Sequence, residues 1–185
     1  MALAAPVFLA ASAWAGDALS VEGWQVEKNV DPPSYAVTEP LQSNLNIDTV
    51  VLACSEASGR RILQFEVYLK DSGPLLPVGA DRRTLRKDPR GQIVIDGRIF
   101  AVSLSFAEDF VVLTDSVDGR IPVLSARLLD ALERGRTMIM RFALLAGDAA
   151  FDGQARVDLR AGAGGAAVAA VRRCLRGAPN RISAL

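Results

Sequence analysis

Apolar residues recur at every second position in several separate stretches of this chain. That period belongs to half-buried β-strands, whose side chains alternate between two faces. In Arg61–Lys70, Leu63, Phe65, Val67 and Leu69 share one face, and Gln64, Glu66, Tyr68 and Lys70 share the other. In Thr137–Leu145 the inner set is Met138, Met140, Phe142 and Leu144. In Gln154–Arg160 it is Ala155, Val157 and Leu159, with Gln154, Arg156, Asp158 and Arg160 outward. Ile47–Cys54 places Val50, Leu52 and Cys54 on one side. Ile93–Ile95 and Ile99–Leu104 flank Asp96-Gly97, a dipeptide suited to a tight hairpin turn. Phe110–Thr114 reads as a further strand, and Gly23–Lys28 as a weaker one.

Two stretches follow the helical period instead. Ser125 is a fitting N-cap for a helix over Ala126–Arg134, with Leu128, Leu129 and Leu132 on one face and Gly135 as its stop. A second helix is predicted from about Gly164 to Leu175, with Ala167, Val171 and Cys174 along its buried stripe. At 185 residues one domain is the default. The predicted fold is mainly β, an antiparallel β-sandwich or half-barrel with one or two packed helices, including a C-terminal helix.

Residues 1–15, MALAAPVFLAASAWA, carry no charge, and thirteen of the fifteen are apolar. They end in Ala13-Trp14-Ala15, a small-x-small cleavage pattern, although no basic residue precedes the apolar run. The stretch is shorter than the ~20 apolar residues a transmembrane helix needs. The expectation is a signal peptide cleaved near Ala15, a single β-rich domain over 16–176, and a flexible tail over 177–185. Localisation would then be periplasmic, with no transmembrane segment.

Export changes how two cysteines are read. Cys54 falls in a predicted strand and Cys174 in a predicted helix, both facing inward. In an oxidising compartment such an isolated pair most often forms a disulfide, stabilising by about 4–5 kcal/mol through chain entropy. Two buried free thiols, or a redox pair, are the alternatives; the redox case lacks a Cys-x-x-Cys spacing.

Reactive constellations are scarce. The chain has no histidine, which removes Ser-His-Asp triads, Cys-His pairs and histidine metal ligands. Serines form neither a Gly-x-Ser-x-Gly elbow nor a Ser-x-x-Lys motif. Glu108-Asp109 and Asp115/Asp118 are the carboxylate pairs, and turn residues of this kind are ordinarily solvated. Asp115–Gly119 lacks most positions of a calcium loop, with Ala126 where the bidentate Glu would stand. Gly162–Gly165 precedes a helix but has no Lys-Ser/Thr of a phosphate loop. No cofactor, metal or catalytic residue is assigned.

Charge sums to zero, with 21 basic and 21 acidic residues, so nothing global points to nucleic acid. It is unevenly spread. Residues 16–58 hold seven acids and one base, whereas 81–90 hold Arg82, Arg83, Arg86, Lys87 and Arg90 against two acids. Pro74–Pro89 reads as a long loop. Its basic end is either a solvated surface, a docking site for an acidic partner or an anionic membrane surface, or a seat for the acidic N-terminal segment.

The order of motifs resembles small exported bacterial proteins of the type VI secretion-associated periplasmic family, and more loosely the invasion-associated locus B family. The resemblance rests on Trp24-Gln-Val near the expected mature N-terminus and on Val50-Val-Leu-Ala-Cys54 followed directly by Ile62–Leu69. It continues in Leu128-Leu-Asp-Ala-Leu132 leading into Met138–Leu144, and in Val157-Asp-Leu, Gly162, Ala166 and Cys174. A Trp-Ser strand frequent in the middle of the type VI proteins is absent. What the resemblance implies is a β-rich fold with a terminal helix clamped by Cys54–Cys174 and an accessory or interaction role. The functional expectation is a non-enzymatic periplasmic accessory or protein-interaction domain of a secretion or envelope system, with a protein partner. The alternative is a small-ligand carrier holding its ligand inside the curved sheet.

Overall fold

The structure, a computed structural model, describes residues 23–107, 109–147 and 150–176. The expected signal peptide and the tail from 177 lie outside the described residues, as does Glu108.

The chain is mainly β and forms a curled antiparallel half-barrel with two helices, one of them C-terminal. In chain order the strands are β1 (Gln25–Val26), β2 (Tyr35–Thr38), β3 (Gln42–Ser43), β4 (Ile47–Ala57), β5 (Arg60–Leu69) and β6 (Leu85–Ile95). They continue as β7 (Arg98–Phe106), β8 (Phe110–Thr114), β9 (Ser116–Asp118), β10 (Ile121–Val123), β11 (Thr137–Leu145) and β12 (Gly153–Asp158). Helix α1 is Ala126–Arg134 and α2 is Gly164–Arg172, the latter running on as a 3-10 turn over Arg173–Arg176. Ten strands make one sheet in the order β1-β2-β4-β5-β8-β7-β6-β11-β12-β3, while β9 and β10 form a small separate hairpin.

Chain reach explains the curl. β2 and β3 stand eight places apart in that order. In a flat sheet at ~4.8 Å per strand they would lie about 38 Å apart. Yet only residues 39–41 join Thr38 to Gln42, and such a link spans at most about 14 Å. The sheet must therefore bend its two edges toward each other. The crossing is pinned on both sides. Asn44 accepts from Gln154 N (2.7 Å) and donates to the Asp152 carbonyl (3.0 Å). Asn46 accepts from Leu76 N (2.9 Å) and donates to the Pro74 carbonyl (3.1 Å). A second tie joins the start of β1 to the segment after β12. Trp24 N donates to the Ala161 carbonyl and Ala163 N to the Trp24 carbonyl. The approach requires Gly23, whose φ is +80° and whose Cβ, if present, would lie 2.2 Å from Ala161 C.

The alternation expected from sequence is realised. Phe65, Val67, Met138, Met140, Phe142, Ala155 and Val157 are all fully buried on the concave side. Leu128, Leu132, Val168 and Val171 from the helices fill that side and join the same core cluster. The Asp96-Gly97 turn is a two-residue hairpin between Ile95 and Arg98 with positive φ at both positions. The Asp96 carboxylate also accepts from Arg136 N and Thr137 N, and these backbone bonds hold its pKa below the usual value.

The two helices are secured differently. Ser125 caps α1, its Oγ accepting from Leu128 N (3.1 Å). Asp115 in turn accepts from Ser125 N and Oγ, both at 2.6 Å. α2 has no side-chain cap and opens on two glycines. It is held by tertiary contacts: Gly165 lies so near α1 that a Cβ would stand 2.2 Å from the Glu133 carbonyl oxygen. Arg172 pairs with Asp130 (2.6 Å) and Glu133 (3.1 Å) of α1. Just beyond α2, Cys174 is disulfide-bonded to Cys54 of β4, across a sequence separation of 120.

One expectation is corrected. Pro74–Pro89 is not a loop throughout, because β6 begins at Leu85. Its first half lacks alternation because it is a bulged edge. From Ala143↔Arg90 to Leu145↔Leu85, β11 advances two residues while β6 advances five. The surplus holds Arg86, Lys87, Asp88 and Pro89, and β7 pairs with β6 only from Gly91 onward. A proline without an N–H is tolerated there.

Candidate functional site

The five bases expected to form one docking loop are divided by this geometry. Arg82 donates to the Ser72 carbonyl (3.1 Å) and lies against Gly73. Arg83 pairs with Asp81 (3.0 Å), whose carboxylate also caps the 3-10 turn at Arg82–Thr84. Arg86 is 17 % exposed in its side chain and approaches Asp88 at 3.7 Å, with Nε and Nη1 buried and without a hydrogen-bond acceptor. Lys87 is exposed in the bulge. Only Arg90 enters the regular sheet face.

There it meets two arginines that sequence proximity does not suggest. On β11 the residues facing away from the core cluster are Ile139, Arg141 and Ala143, the last fully covered, and on β12 they are Gln154 and Arg156. Arg141 is paired with Gln154 on one side and with Gln92 of β6 on the other. Ile139 is paired with Arg156, and Ala143 with Arg90. Paired residues point to the same face, so Arg156, Arg141 and Arg90 form a diagonal across three adjacent strands. Each step is one strand over and two residues along, about 8 Å between Cα positions, so the line spans about 16 Å.

Amides border the line. Gln92 and Gln154 flank Arg141, and Gln42 of β3 lies opposite Arg156. A depression of about 720 Å³ is lined by Ile139, Arg141, Phe151 and Arg156 together with Gln42 and Asn44. A second, of about 660 Å³, covers Arg90, Gln92 and Ile99. Ala150 and Phe151 line both.

Two described acids beside this face, Asp152 and Asp158, are turned to the backbone. Asp152 accepts from Leu144 N and Leu145 N, and Asp158 from Arg160 N. Among the described residues, the guanidiniums of Arg90, Arg141 and Arg156 have no hydrogen-bond or ion-pair partner, unlike Arg60, which pairs with Asp118, or Arg173, which pairs with Asp31. Guanidiniums and amides can hold carboxylates and peptide groups through several N–H donors. They do not exchange protons near neutral pH.

The carboxylate pairs do not assemble into a site. Asp115 holds Ser125, and Asp118 holds Arg60. Glu108 lies outside the described residues. Among the described residues no group of three or more Cys, Asp or Glu is placed to hold a metal ion.

At the opposite end of the convex face an apolar depression of about 450 Å³ is lined by Tyr35, Val37, Val51, Ala53 and Tyr68. Burial and the neighbouring Glu66, to which it donates at 3.0 Å, raise the Tyr68 pKa. Among the described residues no helix is long and apolar enough to cross a membrane. The chain has no significant match to a known protein family, a curated protein or a solved structure.

Proposed function

We propose that the chain is an exported, non-enzymatic accessory domain that binds a protein partner in the periplasm or envelope. The observation that carries this reading is the diagonal of three arginines whose guanidiniums have no partner among the described residues, on a face otherwise made of amides and apolar residues such as Ile139 and Phe151. A cation on a protein surface that keeps no internal partner is available to an external one, and rigid strands fix its position. The expected leader and the Cys54–Cys174 bond support an oxidising compartment. The resemblance to the type VI secretion-associated periplasmic family supports a place beside a secretion or envelope system. The helices support binding on the outside over a ligand inside the sheet, because Leu128, Leu132, Val168 and Val171 occupy the concave side.

The test is a photo-crosslinking residue at Ile139 in the exported full-length chain, compared with the same residue at Tyr35. A discrete protein adduct at Ile139 that disappears in Arg141→Glu/Arg156→Glu is the expected result. Adducts at Tyr35 with none at Ile139 would overturn the reading.

A further inference from the structure

From the register we infer what the partner presents to this face: an extended acidic segment with carboxylates at alternate residues, lying across β12, β11 and β6. The inference rests on the interaction reading above and adds the chemistry of the ligand.

The spacing carries it. Alternate residues of an extended chain lie about 6.6–6.8 Å apart and project to one side. Three such residues span about 13–14 Å, against about 16 Å between the outer arginine Cα positions. The long arginine stems take up the remainder. Three consecutive acids would place the middle carboxylate on the opposite side of an extended chain, so at most two could be met.

The surroundings favour an extended chain over a helix. An extended chain leaves N–H and C=O groups free, and Gln42, Gln92 and Gln154 can both donate to and accept from them. A helix satisfies those groups internally and docks instead through a continuous apolar row. Here the apolar content of the first depression is chiefly Ile139 and Phe151. Nucleic acid is the poorer match. Neutralising about three phosphates yields only weak, salt-sensitive binding. The net charge is zero, and one aromatic, Phe151, stands where stacking would need a series.

The experiment is fluorescence anisotropy at low salt with the oxidised chain. The probes are labelled peptides of equal composition, one with Asp at alternate positions separated by Ser and Thr, the other with its three Asp contiguous. An all-Asn analogue and a labelled oligothymidine complete the set.

The alternating peptide is expected to bind at least about tenfold tighter than the contiguous one, with the Asn analogue and oligothymidine weaker still. Arg141→Gln and Arg156→Gln should each weaken it about tenfold, and Arg90→Gln less, whereas Arg82→Gln should leave it unchanged. Equal affinity for the alternating and contiguous peptides would overturn the spacing inference. Tighter binding of oligothymidine would overturn the partner class. No binding of any acidic peptide would overturn the inference as a whole, and the Ile139 crosslink reports separately whether the broader reading survives. Matching thermal melts of the variants exclude misfolding as the cause of any loss.

Discussion

The two faces of the one sheet follow the same alternation and serve opposite ends. Phe142 and Arg141 are neighbours on β11, yet Phe142 is fully buried in the core cluster while Arg141 opens to a depression. On the concave side the described apolar side chains pack into one core cluster, and a disulfide ties β4 to the segment after α2. On the convex side three guanidiniums have no partner among the described residues. Burial of apolar side chains gives stability, whereas charge without a partner gives a surface able to bind. Changes on the concave side should therefore lower stability, and changes on the convex side should lower binding alone.

The largest effect should come from the crosslink. Cys54→Ala/Cys174→Ala should cost about 4–5 kcal/mol in urea unfolding, because it frees a long loop in the unfolded chain. α2 should suffer first, since it has no side-chain cap. Phe142→Ala should follow at about 3–5 kcal/mol, the usual cost of emptying an aromatic site in a core. Its effect on peptide affinity should appear only where the fold is lost. Ser125→Ala should cost about 1 kcal/mol, removing the cap of α1 and leaving Asp115 without its hydroxyl partner.

The smallest effect should come from the Arg172–Asp130 pair between the helices, which solvent screens in its exposed setting. The Asp130 pKa is lowered, first by its hydrogen bond from Arg172. A carboxyl group with a lowered folded-state pKa stabilises above its unfolded value, near 4, and that contribution disappears as pH falls through the folded value. Asp130→Asn should therefore be slightly less stable than the parent at pH 7. The difference should vanish in acid, as urea midpoints at the two pH values would show.

The concave side was the more legible of the two. Met138, Met140 and Phe142 announce by hydrophobicity alone which way β11 faces, and Ser125 and Gly135 mark the ends of α1. The strands missed were short or irregular. β3 is two residues long, and the start of β6, Arg86-Lys87-Asp88-Pro89, shows no alternation because it bulges from one neighbour. The convex site was less legible for a different reason. Arg82, Arg83, Arg86, Lys87 and Arg90 cluster in sequence, but local partners and the bulge scatter them. Arg90, Arg141 and Arg156 are remote in sequence and meet through register. The outward position of Arg156 was readable, but its place one diagonal step from Arg141 needed the pairing of Ile139 with it.

The most direct test of this division of labour compares Arg141→Gln/Arg156→Gln with Phe142→Ala, measuring urea unfolding and binding of the alternating-Asp peptide on the same preparations. The account predicts that the arginine double variant unfolds within about 0.5 kcal/mol of the parent, as surface changes do, while its peptide affinity falls at least tenfold. Unchanged affinity in the double variant at parental stability would contradict it.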